Sequence, residues 1–258
     1  MLIKPLILFL ITLLLWNDYG VCIKFTKKNN GIKTDTFGNI YVMSTNEISK
    51  YNAKGILQKT FSNKRYGKIS FLDATNPLKI LVYYKDFQQI VFLDDQLTLS
   101  NNPISLENLG YEQTSLVCSS MNNSFWLYNN QNNELVRYSK ELQPLVKTGN
   151  LKQILQSDIK PNFIKEHNGN LYLNCPSFGI LVFDIYGTFS KIIPLKNLAE
   201  FDIVNGNVFY FENKTLKEYQ LQTFNTIEKQ FADTMIKTVY WNNSTFYKVY
   251  ADSLVIQP

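Results

Sequence analysis

Three carboxylates are the first places to look for chemistry. Asp35, Asp73 and Glu166 each follow a short apolar run, and such runs recur along the chain. Acids at matching places in successive repeats can converge on an axis and hold a hard divalent cation, which takes about 6–8 oxygen ligands. A cation held that way would activate water for hydrolysis, as in a lactonase-like esterase. The set is incomplete, because comparable places elsewhere carry Ser119, Asn205 and Asn242. A simpler role also fits: an acid after a strand can accept hydrogen bonds from the backbone of the next turn. Asp35, Asp73 and Glu166 are therefore the chain's metal candidates. No residue is assigned to catalysis or to cofactor binding, and no cofactor is expected.

The remaining reactive residues are few. His167 is the only histidine, within Lys165-Glu166-His167-Asn168-Gly169, so a centre built on several histidines is excluded. Its turn setting predicts an exposed side chain. There is no Gly-x-Ser-x-Gly elbow, P-loop or Gly-x-Gly-x-x-Gly. Ser119, Ser120 and Asp184 stand at no spacing from His167 that argues for a triad, and Asp94-Asp95 reads as a hairpin turn. Cys118 and Cys175 lie in strand-like runs; buried thiols and a bridge between them are both open. Tyr66, Phe87, Tyr111 and Phe178 fall in connections or hairpin tips, where they either form a recognition surface or cover local apolar surface.

Composition narrows the class. Of 258 residues, 45% are hydrophobic and 14% aromatic, which suits strands with a sizeable core and argues against disorder. The net charge of +5 is modest. Lys24, Lys27, Lys28 and Lys33, and then Lys64, Arg65 and Lys68, make no continuous basic block, so nucleic acid is not an expected partner. A weak attraction to an anionic membrane surface is compatible with them.

The N-terminus reads as a targeting segment. Residues 5–16, PLILFLITLLLW, are uncharged and follow Lys4. Twelve residues are short for a hydrocarbon core of about 30 Å and fit the apolar core of a secretory signal. Residues 1–20 are thus a signal peptide or an N-terminal anchor, the latter allowing membrane association. Cleavage after Gly20 or after Cys22 and lipidation at Cys22 are the further readings. All of them make the protein exported, to the periplasm or cell envelope, with membrane-anchored and extracellular forms as alternatives.

What must position these residues is an internal repeat. Units at 38–55, 78–97, 123–142, 169–188, 206–223 and 244–258 each hold an aromatic-rich strand, a polar turn and a second alternating strand. Tyr41, Leu81, Trp126, Tyr172, Phe209 and Tyr247 share one register position, about 40 residues apart. Tyr51, Leu93, Tyr138, Asp184, Tyr219 and Gln257 share a second, each an even number of residues later. The even offset is expected to keep both on the same side of the hairpin. Apolar runs flank every pair, at 31–34, 68–72, 114–119, 162–165, 201–204 and 236–240 before it, and at 56–61, 98–104, 144–148, 189–195 and 226–231 after it. Gly-Asn at 38–39, 169–170 and 206–207 supplies turn chemistry. The sixth unit lacks a fourth strand, and residues 21–27, VCIKFTK, are a strand with no unit of their own. Pairing the two would close a ring and remove an open edge. Residues 151–157 are expected to form about two helical turns.

Four strands per repeat predict an all-β, six-bladed β-propeller over residues 21–258, its last blade closed by the N-terminal strand. The repeated Gly-Asn-hydrophobic-aromatic-hydrophobic strand, followed by hydrophobic-x-x-Tyr, resembles the NHL, YWTD and TolB-like propeller groups. That resemblance implies fold more than function, since those groups include binding modules, scaffolds and hydrolases. Without a catalytic constellation, the expected role is a non-enzymatic interaction or scaffold module of the cell envelope with a protein partner. A small-molecule or glycan-binding propeller is the alternative, and a metal-dependent hydrolase follows it.

Overall fold

The computed structural model describes residues 20–242 and 244–258. The targeting segment at 1–19 lies outside the described residues. Among the described residues the chain forms six four-stranded antiparallel sheets. Blade one comprises Gly31–Thr34, Ile40–Met43, Glu47–Tyr51 and Leu57–Ser62. Blade two comprises Phe71–Asp73, Ile80–Tyr84, Gln89–Leu93 and Ile104–Ser105. Blade three comprises Thr114–Ser119, Phe125–Asn129, Glu134–Tyr138 and Pro144–Lys147, and blade four Phe163–His167, Asn170–Cys175, Gly179–Asp184 and Phe189–Ile193. Blade five comprises Asp202–Val204, Asn207–Glu212, Thr215–Tyr219 and Thr226–Gln230. Blade six takes Thr238–Asn242, Thr245–Val249 and Ser253–Gln257 from the C-terminus and Val21–Lys24 from the N-terminus. Val21 pairs with Ile256 and Lys24 with Ser253, so the N-terminal strand closes the ring.

The ring exists because no blade buries both faces alone. A separate apolar cluster sits at each junction. Trp126, Tyr128 and Leu135 of blade three meet Leu171, Leu173 and Phe183 of blade four. The sixth junction joins Ile32, Ile40 and Val42 of blade one to Tyr247, Val249 and Leu254 of blade six. The junction of blades five and six is the thinnest, with Leu216, Ile236 and Val239 as its buried apolar residues. Short α-helical structure occurs at Leu151–Leu155, where the Asn150 side chain accepts from the Lys152 and Gln153 amides. In the turn before the second strand, Gly38 and Gly206 have φ of 78°, a left-handed conformation that a side chain would strain.

All six first-strand register residues are buried. The second register differs from expectation. Tyr41 lies opposite Lys50, and it is Ile40 that faces Tyr51. Tyr41 accordingly packs toward blade two, while Tyr51 packs toward blade six. Even-length turns place directly opposed residues an odd number apart, so an even offset reverses the facing. Blade four has the odd turn Pro176–Phe178, where Cys175 pairs with Gly179. Its counterpart of Tyr51 is therefore Phe183, not Asp184. The outer strand of blade two is cut to Ile104–Ser105 with a single bridge at Leu99, beside Pro103, which has no amide hydrogen to pair. Cys118 and Cys175 are separate buried thiols without a bridge.

Candidate functional site

Every inner strand runs from one face of the disk, here the entrance face, to the other, the exit face. Pairing fixes what each contributes to the axis. Opposite the first-strand register residues stand Lys33, Asp73, Cys118, Lys165, Asp202 and Tyr240, one per blade. Cys118 turns into the blade three–four core, while Lys33, Asp73, Lys165, Asp202 and Tyr240 line one axial layer.

Its polar members are locked together. Lys33 Nζ lies 2.7 Å from Glu200 Oε2, and the Tyr240 hydroxyl donates to Glu200 Oε1 at 2.6 Å. Lys165 Nζ lies 2.5 Å from Asp202 Oδ1, which also accepts the Ile203 amide. The Lys33 ammonium stands 5.4–5.9 Å from the ring centres of Phe163, Tyr240 and Phe71, within cation–π range. Only about 40 Å³ of open space remains between these groups. The side chains of the two pairs keep 19–37% of their surface open, but that surface faces a narrow channel inside the ring.

Electrostatics follow from this enclosure. Burial alone would raise the Glu200 and Asp202 carboxyls, yet Lys33 and Lys165 respectively outweigh it and hold both below the usual carboxylate range. Burial would lower the Lys165 ammonium, and the Asp202 carboxylate beside it brings the net shift upward. Burial and the neighbouring Glu200 charge push the Tyr240 phenol well up, so it remains a donor. Burial pushes the Cys175 thiol up to about 12, and the Cys118 thiol is raised as well, by burial and then by Asp73. Neither thiol is activated as a nucleophile.

The three carboxylates singled out from the sequence occupy different registers. Asp73 belongs to the axial layer, whereas Asp35 and Glu166 lie beyond it, toward the exit face. Asp35 accepts from the Phe37 and Asn39 amides at 2.9 Å each, the Asn39 side chain at 2.8 Å and the Tyr41 hydroxyl at 2.9 Å. Asp73 accepts the Thr75 amide at 2.9 Å and, across the blade junction, the Ser119 amide at 2.8 Å. Glu166 accepts Ser120 Oγ at 2.5 Å, the Met121 amide at 2.9 Å and Trp126 Nε1 at 2.6 Å, all from blade three. Among the described residues, no three His, Cys, Asp or Glu side chains gather as a metal-holding group. His167 is half-buried at the exit-side turn, its imidazole lowered by burial and then by Lys165. Of the connection aromatics, Tyr111 is buried, Tyr66 packs edge-on against Tyr84 and Phe178 packs on the blade three–four core, leaving Phe87 exposed.

The entrance face is concave. A funnel of about 540 Å³ opens above the axial layer, walled by Asn29, Asn30, Ser70, Asn162 and Thr238 and floored by Lys33, Phe71, Phe163 and Tyr240. Side clefts of about 310 Å³ and 300 Å³ extend from it between blades five and six and across blades two to four. The connection before the inner strand carries an exposed lysine in five blades: Lys28, Lys68, Lys160, Lys196 and Lys237. None of the five forms an ion pair with a described residue. The connection into blade three carries Glu107 and Glu112 instead.

The axial layer and the funnel were not visible as a site in the sequence. Lys33 stood out only as one of several clustered lysines, and Lys165, Glu200, Asp202 and Tyr240 not at all. The signal that finds the layer is strand pairing: in five of the six blades the residue opposite the register residue lines the axial space.

No family model and no curated protein matches the sequence. Solved structures do resemble the fold. A streptogramin B lyase superposes with a TM-score of 0.58 at 13% identity, over 90% of this chain and 79% of that one. A catalytically inactive virginiamycin B lyase from Staphylococcus aureus, solved with quinupristin, gives 0.57 at 15%, over 89% and 82%. The extracellular domain of BT3049 from B. thetaiotaomicron gives 0.55 at 11%, over 92% of this chain and 41% of that one. At these identities the likeness concerns architecture alone, that of a β-propeller, which in this chain has six blades.

Proposed function

We propose that this protein is an exported, non-enzymatic interaction module of the cell envelope, receiving an acidic segment of a protein partner in the entrance funnel. The observation that carries the reading is the division of polar groups on this face. At the axis, Lys33, Glu200, Tyr240, Lys165 and Asp202 satisfy one another and fill the channel. On the rim, five exposed lysines have no acidic partner of their own. A rigid scaffold with unpaired rim cations over a broad, shallow depression suits a partner of opposite charge. The extracellular domain among the similar structures is in keeping with export.

The test is capture of partners from the native envelope fraction by the wild-type chain and by a Lys28→Glu/Lys237→Glu variant. A partner retained by the first and lost by the second, with the thermal midpoint unchanged, supports the reading. The same partners on both would remove the funnel from the interaction. The aromatic floor of Phe71, Phe163 and Tyr240 also favours a second reading, a small-molecule or glycan ligand. That ligand would protect the floor without depending on Lys28 or Lys237.

A further inference from the structure

The exit face differs from the entrance face in what its turns present. Phe37, Ile56, Leu78, Met121, Tyr186 and Phe224 stand on exit-side turns of blades one to five, each between 40% and 76% exposed. Phe37, Leu78 and Tyr186 occupy central positions of hydrogen-bonded turns. The Gly38 amide donates to the Asp35 carbonyl around Phe37, and the Gly187 amide to the Asp184 carbonyl around Tyr186. The exit-side turns of blades four and five, at 185–188, 205–206 and 220–225, contain no charged residue.

The chain's own path points to the same face. The N-terminal strand runs antiparallel to Ser253–Gln257, so Gly20 and Val21 lie at its exit end. Val21 is itself exposed and adjoins Gly55, next to Ile56. The apolar sequence at 5–16 is therefore joined to the body at the face that carries the apolar tips.

From this geometry we infer that the exit face is a membrane-docking surface, its turn tips entering the interfacial region of a lipid bilayer while the funnel faces away. Isolated side chains on separate turns, spaced around a ring, suit a fluid apolar medium. A second copy of the chain would need a continuous complementary patch of about 800 Å² per partner. Apolar residues held at the polar–apolar boundary are the usual means by which a folded body lies on a membrane. The inference does not depend on what occupies the funnel.

The experiment uses the full chain in phosphatidylcholine vesicles with nitroxide-bearing lipids. In a Cys22→Ser background, a fluorophore is attached at Tyr186→Cys or Phe224→Cys. Matched controls are Phe87→Cys and Met235→Cys, which replace exposed apolar residues on the entrance face. Exit-face labels quenched several-fold more strongly than entrance-face labels are the expected result. Equal quenching at all four sites overturns the inference. So does shielding of the exit labels from aqueous iodide without quenching by lipid, which would mark a protein as the occupant.

Discussion

The two ends of the inner strands use the same side chains differently. At the exit end, Asp35 and Glu166 accept hydrogen bonds from turn amides, hydroxyls and an indole, and so serve the backbone and the blade junction. Toward the entrance, Glu200 meets Lys33 of blade one and Asp202 meets Lys165 of the neighbouring blade four. The first group accepts hydrogen bonds from uncharged donors, and the second pairs with the ammonium groups of other blades. A carboxylate's residue type is thus a poor guide to its role in this fold: Asp73 shares the register of Asp202, yet it accepts the Thr75 and Ser119 amides and forms no lysine pair among the described residues.

Removing the exit-end anchor gives the largest expected effect. Glu166→Ala leaves Ser120 Oγ, the Met121 amide and Trp126 Nε1 without their shared acceptor. It should cost about 3–5 kcal/mol in urea unfolding, because buried donors to a charged acceptor lose the whole interaction. Glu166→Gln keeps the shape and should cost less. A loss under about 1 kcal/mol for the alanine variant would show that the junction does not rely on this residue.

Breaking an axial pair ranks second. Lys165→Met alone strands the Asp202 charge and should cost about 1–3 kcal/mol, reduced from the fully buried case because channel solvent screens it. Adding Asp202→Leu should recover most of that loss. Additive losses in the double variant would mean that the two residues act separately.

The smallest effect is a pH dependence that distinguishes the ends. The lowered Glu200 and Asp202 carboxyls contribute stability above their unfolded values of about 4, and lose it as pH falls through the lower folded values. The raised Lys165 ammonium contributes below its unfolded value of about 10.4, and loses it only as pH rises through the higher folded one. Thermal midpoints should therefore fall on acidification below about pH 4, and fall less in Lys165→Met/Asp202→Leu than in wild type. Identical acid slopes would place the titrating groups elsewhere.

Much of the fold was legible because it repeats. The aromatic registers, the Gly-Asn turns and the orphan strand at 21–27 carried the blade count and the closure of the ring. The facing of the second strand was not legible, since it depends on whether each turn holds an even or odd number of residues, as blade four shows. The axial layer escaped for a related reason. Lys33, Lys165 and Asp202 are far apart in sequence, and only strand pairing places each opposite its register residue. The funnel was hidden because its walls come from connections before inner strands, where Asn29, Asn162 and Lys237 resemble ordinary solvated loop residues.

Site-specific photocrosslinking in the native envelope tests the division of the faces most directly. A photoreactive side chain would replace Asn30 or Thr238 in the funnel wall, or Gln58 or Lys191 on the outer strands. The account predicts a discrete protein adduct from the funnel positions and none from the outer strands. An adduct confined to the outer strands would contradict it.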